Sequence, residues 1–190
     1  MSIDTSIVKT LNSWGSNHNS LVRIFSNDLV YVMILIAVLW YLTLILKKYS
    51  ETKSWNEWLL RYLTRGFINF ALPAGIAIVI SEVISSIYIR QRPFVAVSGV
   101  KLLVPHGVDG GMPSHHVVFM TALTASIYFY QKKIAVLLAI ITLVTGIARV
   151  VAGIHYPSDI VVGAILGVGI AVLYRWSLRK FIDEKRLAFD

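Results

Sequence analysis

The sequence predicts an all-α, polytopic membrane helix bundle of five to six transmembrane helices, preceded by an amphipathic helix at the interface. Three observations carry that prediction. Of 190 residues, 56% are hydrophobic and only 15% charged, with a mean hydropathy of +0.69; a soluble domain carries about 25% charged residues. The apolar residues are gathered into five long stretches instead of being scattered. Those stretches are rich in Leu, Ile, Val and Ala and do not alternate with polar residues, which favours helices over barrel strands. Disorder requires the opposite composition. The absence of cysteine excludes disulfides and thiolate metal sites.

Taken in order, residues 1–28 place Ile3, Ile7, Val8 and Leu11 at helical spacing, with Trp14 near the end and polar residues between. That pattern describes a helix lying in the interface plane. No basic region precedes a continuous apolar core, so it is not a signal peptide. Residues 29–46 carry no charge. Residues 67–89 are interrupted by Pro73 and by one carboxylate, Glu82. Residues 117–130 are extended at their start by 112–116, residues 134–148 continue towards Ile154, and residues 160–174 complete the set. A helix needs about 20 residues to cross roughly 30 Å of hydrocarbon, so the shorter stretches must borrow flanking turns. The tight connection at 131–133 makes its two flanking helices an antiparallel hairpin. A sixth, short span within 20–29 is the alternative count. The whole chain reads as one domain: an amphipathic segment 1–28, a transmembrane core 29–174 and a basic tail 175–190.

The net charge of +8 is compatible with nucleic acid, an anionic membrane face or an anionic substrate. Five spans resolve this by side. Twelve of the 18 Lys and Arg residues fall at one end, among them Lys47, Lys48, Lys53, Lys132, Lys133, Arg175, Lys185 and Arg186. The other six are Lys9, Arg23, Arg90, Arg92, Lys101 and Arg149. The positive-inside rule assigns the richer end to the cytoplasm, with Trp55, Trp58 and Trp176 as interfacial anchors there. The basic residues flank spans and form no recognition element, so nucleic acid is not an expected partner.

Three polar clusters share the opposite face. Arg92-Pro93 follows the second span, Pro113-Ser114-His115-His116 opens the third, and Arg149, His155 and Asp159 lie between the fourth and fifth. These residue types suit phosphoryl transfer, in which catalysis is mostly positioning and electrostatic stabilisation. Arginine offers a planar, permanently charged fork to phosphate. Ser114 and the first free amides of a helix make an anion site. A neutral histidine can attack and a protonated one can donate. Asp159, four residues after His155, is placed to hold its ring. Glu82, an ionisable group within a span, is a functional candidate by its cost alone.

These clusters resemble the three signature motifs of the type 2 phosphatidic acid phosphatase superfamily, which includes vanadium haloperoxidases. The second motif is usually Pro-Ser-Gly-His and the third Ser-Arg-x5-His-x3-Asp, here with Ala148 in place of serine. The first is usually Lys-x6-Arg-Pro. Arg92-Pro93 match it, but the lysine position holds Ser85, and Arg90 is the candidate substitute. The residues 92–96 and 103–106 are more specifically similar to the bacitracin-resistance type of undecaprenyl-diphosphate phosphatase. The resemblance implies that His155 attacks phosphorus and becomes a phosphohistidine, with Asp159 orienting it. It implies that His116 protonates the leaving oxygen and then activates water. Arg92, Arg149, Ser114 and the amide of His115 would hold the phosphoryl oxygens. His115 itself would line the rim, Glu82 would support the site, and His106 would approach a distal phosphate. No metal or other cofactor is implied, and the sequence has no acidic cluster to hold a metal.

The expected function is therefore a lipid phosphatase acting on undecaprenyl diphosphate at the outer face of the plasma membrane, with the polyprenyl chain left in the bilayer. That requires a lateral opening lined by apolar residues below His155. Phosphatidylglycerophosphate or phosphatidate phosphatase, or a lipid phosphotransferase, would use the same residues. A lipid-phosphate transporter or binding protein would need the arginines but not the paired histidines.

Overall fold

The chain begins with a helix whose first turn is capped by its own sequence: the Ser2 hydroxyl accepts the amide of Thr5 at 3.3 Å. In the computed structural model, which describes residues 2–52 and 57–181, this helix is α1 (Ile3–Gly15). Lys53, Trp55, Lys185, Arg186 and the rest of the tail beyond 181 lie outside the described residues. Val8, Asn12 and Gly15 face inward, while Ile3 and Trp14 are exposed. The amphipathic face therefore meets protein as well as membrane: Val8 packs with Val100, Val150 and Tyr156.

The short helix α2 (Asn19–Arg23) runs through a π-helical turn, Ile24–Asp28, directly into α3 (Leu29–Thr52). Residues 20–29 are thus the beginning of the first spanning helix and not a separate sixth span. Nothing in that stretch breaks a helix, so one extra residue per turn is absorbed without a stop. The next run is α4 (Glu57–Gly66), a second π turn, Phe67–Ala71, and α5 (Leu72–Ile87). The widened turn lies where the ring of Pro73 would press on the preceding carbonyls, so the span continues through the proline. Gly75 has no neighbour within 4 Å of an added Cβ, so it is not a close-packing position.

A long connection carrying the one-turn α6 (Pro93–Ala96) leads to α7 (His115–Tyr128). Then come α8 (Lys132–Val151) and α9 (Pro157–Phe181). Among the described residues, four continuous runs are long and apolar enough to cross a membrane: Asn19–Glu51, Tyr62–Ile87, Lys132–Val151 and Pro157–Lys180. The 14 residues of α7 rise only about 21 Å, short of the hydrocarbon thickness. It packs inside the bundle against α5, α8 and α9, with Tyr128 at its far end exposed. Its Val118, Met120, Ala122, Leu123 and Ile127 form the centre of the main apolar core. The start of α3, the end of α5, the start of α7, the end of α8 and the start of α9 all meet at one end of the bundle, where α1 lies across them.

Close approach of α7 and α9 depends on two glycines one helical turn apart. A Cβ at Gly167 would stand 2.4 Å from the Val118 carbonyl and one at Gly163 3.2 Å from that of Ser114. This is the small-xxx-small contact by which membrane helices gain dispersion energy where hydrophobic burial offers none. We expect Gly167→Ala to cost about 1–3 kcal/mol by overpacking, lowering the midpoint of thermal unfolding in detergent. Gly169→Ala, with nothing within 4 Å, should leave it unchanged or raised; equal effects of the two would remove the close-contact explanation.

Candidate active site

The site is built where α8 ends. Its last turn delivers Arg149, and the chain then turns through Gly153, whose φ of +77° is open to glycine without strain. A Cβ there would also stand 2.6 Å from the Lys101 carbonyl, so this glycine lets the 100–104 segment close over the loop. His155 follows, and α9 starts at Pro157, where a missing amide costs nothing. On the facing side, Arg92 is set in extended backbone by the start of α6 at Pro93.

These residues converge. His155 is 2% exposed, Arg149 2% and Arg92 3%. The His155 Nδ1–H donates to the Gly111 carbonyl at 2.8 Å. Its Nε2 stands 3.3 Å from the Arg92 guanidinium and 3.5 Å from that of Arg149. Guanidinium groups only donate, so Nε2 carries the lone pair and the tautomer is fixed by its surroundings. Burial first, then the positive charges of Arg149 and Arg92, push the His155 imidazole well below its usual range. It is neutral at pH 7. Backbone carbonyls hold the arginines: Ile154 at 2.9 Å and Gly110 at 3.1 Å for Arg92, Ser26 at 3.1 Å for Arg149. Asp109 adds a contact to Arg92 Nε at 3.2 Å.

Asp159, expected to hold the His155 ring, is near it without taking its proton. One oxygen lies 3.7 Å from Nδ1 and accepts the Tyr156 amide at 2.7 Å. The other accepts Arg90 at 2.5 Å. The direct partner of the ring is the Gly111 carbonyl, a backbone group that spacing could not reveal; the Gly110-Gly111 pair just before the second motif was its available signal. Arg90, expected on the substrate, is absent from the cavity wall. Its guanidinium is taken by Asp4, Asp159 and Ser158 and lies 4.0 Å over the Tyr156 ring. Ser85, at the position of the family lysine, donates to the Gly110 carbonyl at 3.2 Å.

His115 and His116 open α7, and Ser114 is its N-cap residue with a buried hydroxyl that has no protein partner. Glu82 and His115 pair at 3.0 Å. His106 stands edge-on to His155, with ring centroids 6.3 Å apart, and its Nε2 is 3.4 Å from Arg149. Burial, then the charge of Arg92, lowers the His106 pKa. Together Arg92, Arg149, His106, His115, His116, His155, Asp109 and Glu82 line a cavity of about 440 Å³. Val30, Tyr31 and Ile34 of α3, Ile78 of α5 and Phe119 of α7 complete its wall. Polar groups thus gather around His155, and apolar side chains of α3, α5 and α7 form the rest of the wall.

The family model described as PAP2 superfamily matches residues 66–183. The Bacillus subtilis (strain 168) protein named undecaprenyl-diphosphatase BcrC is 32% identical over 178 residues, covering 88% of this chain and 82% of its own. A Bacillus licheniformis protein named bacitracin transport permease protein BcrC is 26% identical over 90% of this chain and 78% of its own. Among solved structures, the first transmembrane PAP2 type phosphatidylglycerolphosphate phosphatase from Bacillus subtilis superposes with a TM-score of 0.57 at 20% identity. That superposition covers 95% of this chain and 86% of that one. With motifs, fold and family model in agreement along the same stretch, the chain belongs to the PAP2 superfamily.

Proposed function

We propose that this chain is a metal-independent lipid phosphatase that hydrolyses undecaprenyl diphosphate to undecaprenyl phosphate and inorganic phosphate. One observation carries the proposal: the lone-pair nitrogen of a neutral His155 is flanked by two buried arginines in a cavity whose remaining wall is made of apolar side chains from α3, α5 and α7. The arginines bind the terminal phosphate and neutralise charge as it spreads over the equatorial oxygens. His155 Nε2 forms a bond to the terminal phosphorus while the bridging P–O bond breaks. His116 gives its proton to the departing undecaprenyl phosphate, then removes one from a water that attacks the phosphohistidine. Inorganic phosphate leaves and both histidines return to their starting states. Ser114, with a hydroxyl free of protein partners, donates to a phosphoryl oxygen. The Glu82–His115 pair borders the entrance, where the head group passes in from the membrane.

Orientation follows from charge. The end of the bundle opposite the site carries Lys47, Lys48, Arg65, Lys132, Lys133, Arg175 and Arg179, which supports placing that end in the cytoplasm and the site on the extracytoplasmic face. The lipid tail remains in the bilayer beside α3 and α5, and the product is the carrier lipid form used in cell-wall assembly. The permease name of the Bacillus licheniformis relative favours a second reading, a transporter of lipid phosphate. A transporter has no use for a nucleophile whose tautomer is fixed and whose ring is flanked by arginines.

His155→Ala separates the two. Purified into vesicles, the variant is expected to lose at least about 10³-fold in phosphate release while still binding undecaprenyl diphosphate; retained turnover or unchanged lipid flux would favour transport. The pH dependence has a definite sign. Because the His155 pKa is lowered from 6.5, its neutral form persists into acid, so the acid limb of kcat/KM, corrected for substrate ionisation, should lie below that value. In kcat, which reports the complex with an anionic phosphate bound beside His116, the alkaline limb reports the His116 proton and should vanish in His116→Gln; its survival there would assign the acid elsewhere. Excess chelator should leave the rate unchanged, and a rate restored only by added divalent metal would contradict the mechanism.

A further inference from the structure

We propose that Asp4, on the N-terminal helix, is a positioning residue of the active site that acts through Arg90 to hold the groups around His155. The proposal rests on the phosphatase reading above and extends it to a segment that carries none of the family motifs. The Asp4 carboxylate reaches the loop of the third motif directly. Its Oδ1 accepts the Ser158 amide at 3.2 Å, and its Oδ2 accepts both the Ser158 hydroxyl and Arg90 at 2.9 Å. Arg90 is thereby shared between two carboxylates, donating also to Asp159 at 2.5 Å.

Two routes lead from Arg90 to the nucleophile. Through its side chain, Arg90 holds Asp159, whose other oxygen accepts the amide of Tyr156, the residue next to His155. Through its backbone, the Arg90 carbonyl accepts the Gly111 amide at 2.8 Å, and the Gly111 carbonyl in turn accepts Nδ1–H of His155. The second route fixes the tautomer that leaves the lone pair on Nε2. Such outer partners orient a functional histidine as much as its immediate contacts do. Without Asp4, Arg90 has one carboxylate and a vacated side, and its position relative to Gly111 is no longer determined from both directions.

The seat of α1 does not depend on Asp4. Asn12, 1% exposed, donates to the carbonyls of Lys101 at 2.8 Å and Val151 at 2.9 Å and accepts the Lys101 amide at 2.7 Å. Val8 is fully buried beside it. Neutralising Asp4 therefore removes a negative charge facing Arg90 while leaving the helix docked, which makes the function of the carboxylate separable from its contribution to folding.

The test uses the full-length protein in detergent micelles with undecaprenyl diphosphate. Asp4→Asn should lower kcat by about 10- to 100-fold with KM changed less than about threefold, since Arg92 and Arg149 are untouched. Asp4→Glu should recover part of the loss. Arg90→Gln combined with Asp4→Asn should be no slower than Arg90→Gln alone, because one residue acts through the other. Wild-type kcat in Asp4→Asn, or multiplicative losses in the double variant, would overturn the proposal. A second readout is independent of turnover: the ring ¹⁵N shifts of His155, assigned by their loss in His155→Gln, should report a single Nδ1–H tautomer in the wild type and a mixture in Asp4→Asn. Identical shifts would overturn the proposal even if the wild type proves inert. Inertness of the wild type towards lipid diphosphates and monophosphates alike would instead defeat the phosphatase reading.

Discussion

Two guanidinium groups, buried almost completely and facing the same imidazole nitrogen, set the terms for the rest of the molecule. A buried cation is tolerated only where hydrogen bonds and opposite charge compensate its lost hydration. Arg149 donates to the Ser26 carbonyl and lies beside two neutral histidine rings, none of them an anion. Arg92 has carbonyls and the exposed carboxylate of Asp109. The site is thus short of negative charge until an anion arrives, and a phosphate is the anion whose oxygens match two forks at once. Burial, with the same pair, holds His155 in its neutral form. Under the proposed mechanism, phosphate binding and activation of the nucleophile would follow from one arrangement.

That arrangement constrains the packing around it. Ser26 can reach Arg149 only because α2 and the π turn carry the first span beyond its apolar stretch to the level of the α8 terminus. The backbone of 110–111 must come within hydrogen-bonding distance of both Arg92 and His155, and glycine at both positions allows it. A Cβ at Gly110 would stand 2.8 Å from the Ser85 carbonyl and one at Gly111 3.2 Å from that of Arg90. Lower down, the glycines of α9 bring α7 close enough for the Ser114 amide to meet the Asp159 carbonyl at 3.3 Å. Apolar side chains from α3, α5 and α7 then complete the cavity wall.

Much of this was legible in the chain itself. Five apolar stretches are found as helices in order, because hydrocarbon admits few alternatives for an unsatisfied backbone. The paired roles of Glu82 and His115 were less readable. A lone carboxylate within a span signals a function without naming its partner, and the partner proves to be 33 positions away. Arg90 shows the opposite failure. Two arginines flanking one glutamine look equivalent in sequence, yet Arg92 faces the cavity and Arg90 faces Asp4 and Asp159. Residues two apart in extended backbone point the same way, so spacing alone would give both arginines one side; long-range partners select which arginine is used where. The choice between five and six spans turned on a local feature, since the π turn that joins residues 20–29 to the first span is invisible to hydropathy.

The sequence alone determined the all-helical membrane class and the family, and it named the candidate histidine, arginine and aspartate residues, because length, hydropathy and fixed spacing within one helix or turn are local properties. Only the tertiary structure decided which hydrogen bonds those residues make. The ring of His155 is held by the backbone of Gly111 and not by the carboxylate four residues on. Arg90 is anchored by a residue 86 positions earlier, and the apolar flank of the cavity comes from helices that are distant in the chain. Contacts of this kind depend on how separate helices meet, and no pattern within a single segment encodes that meeting.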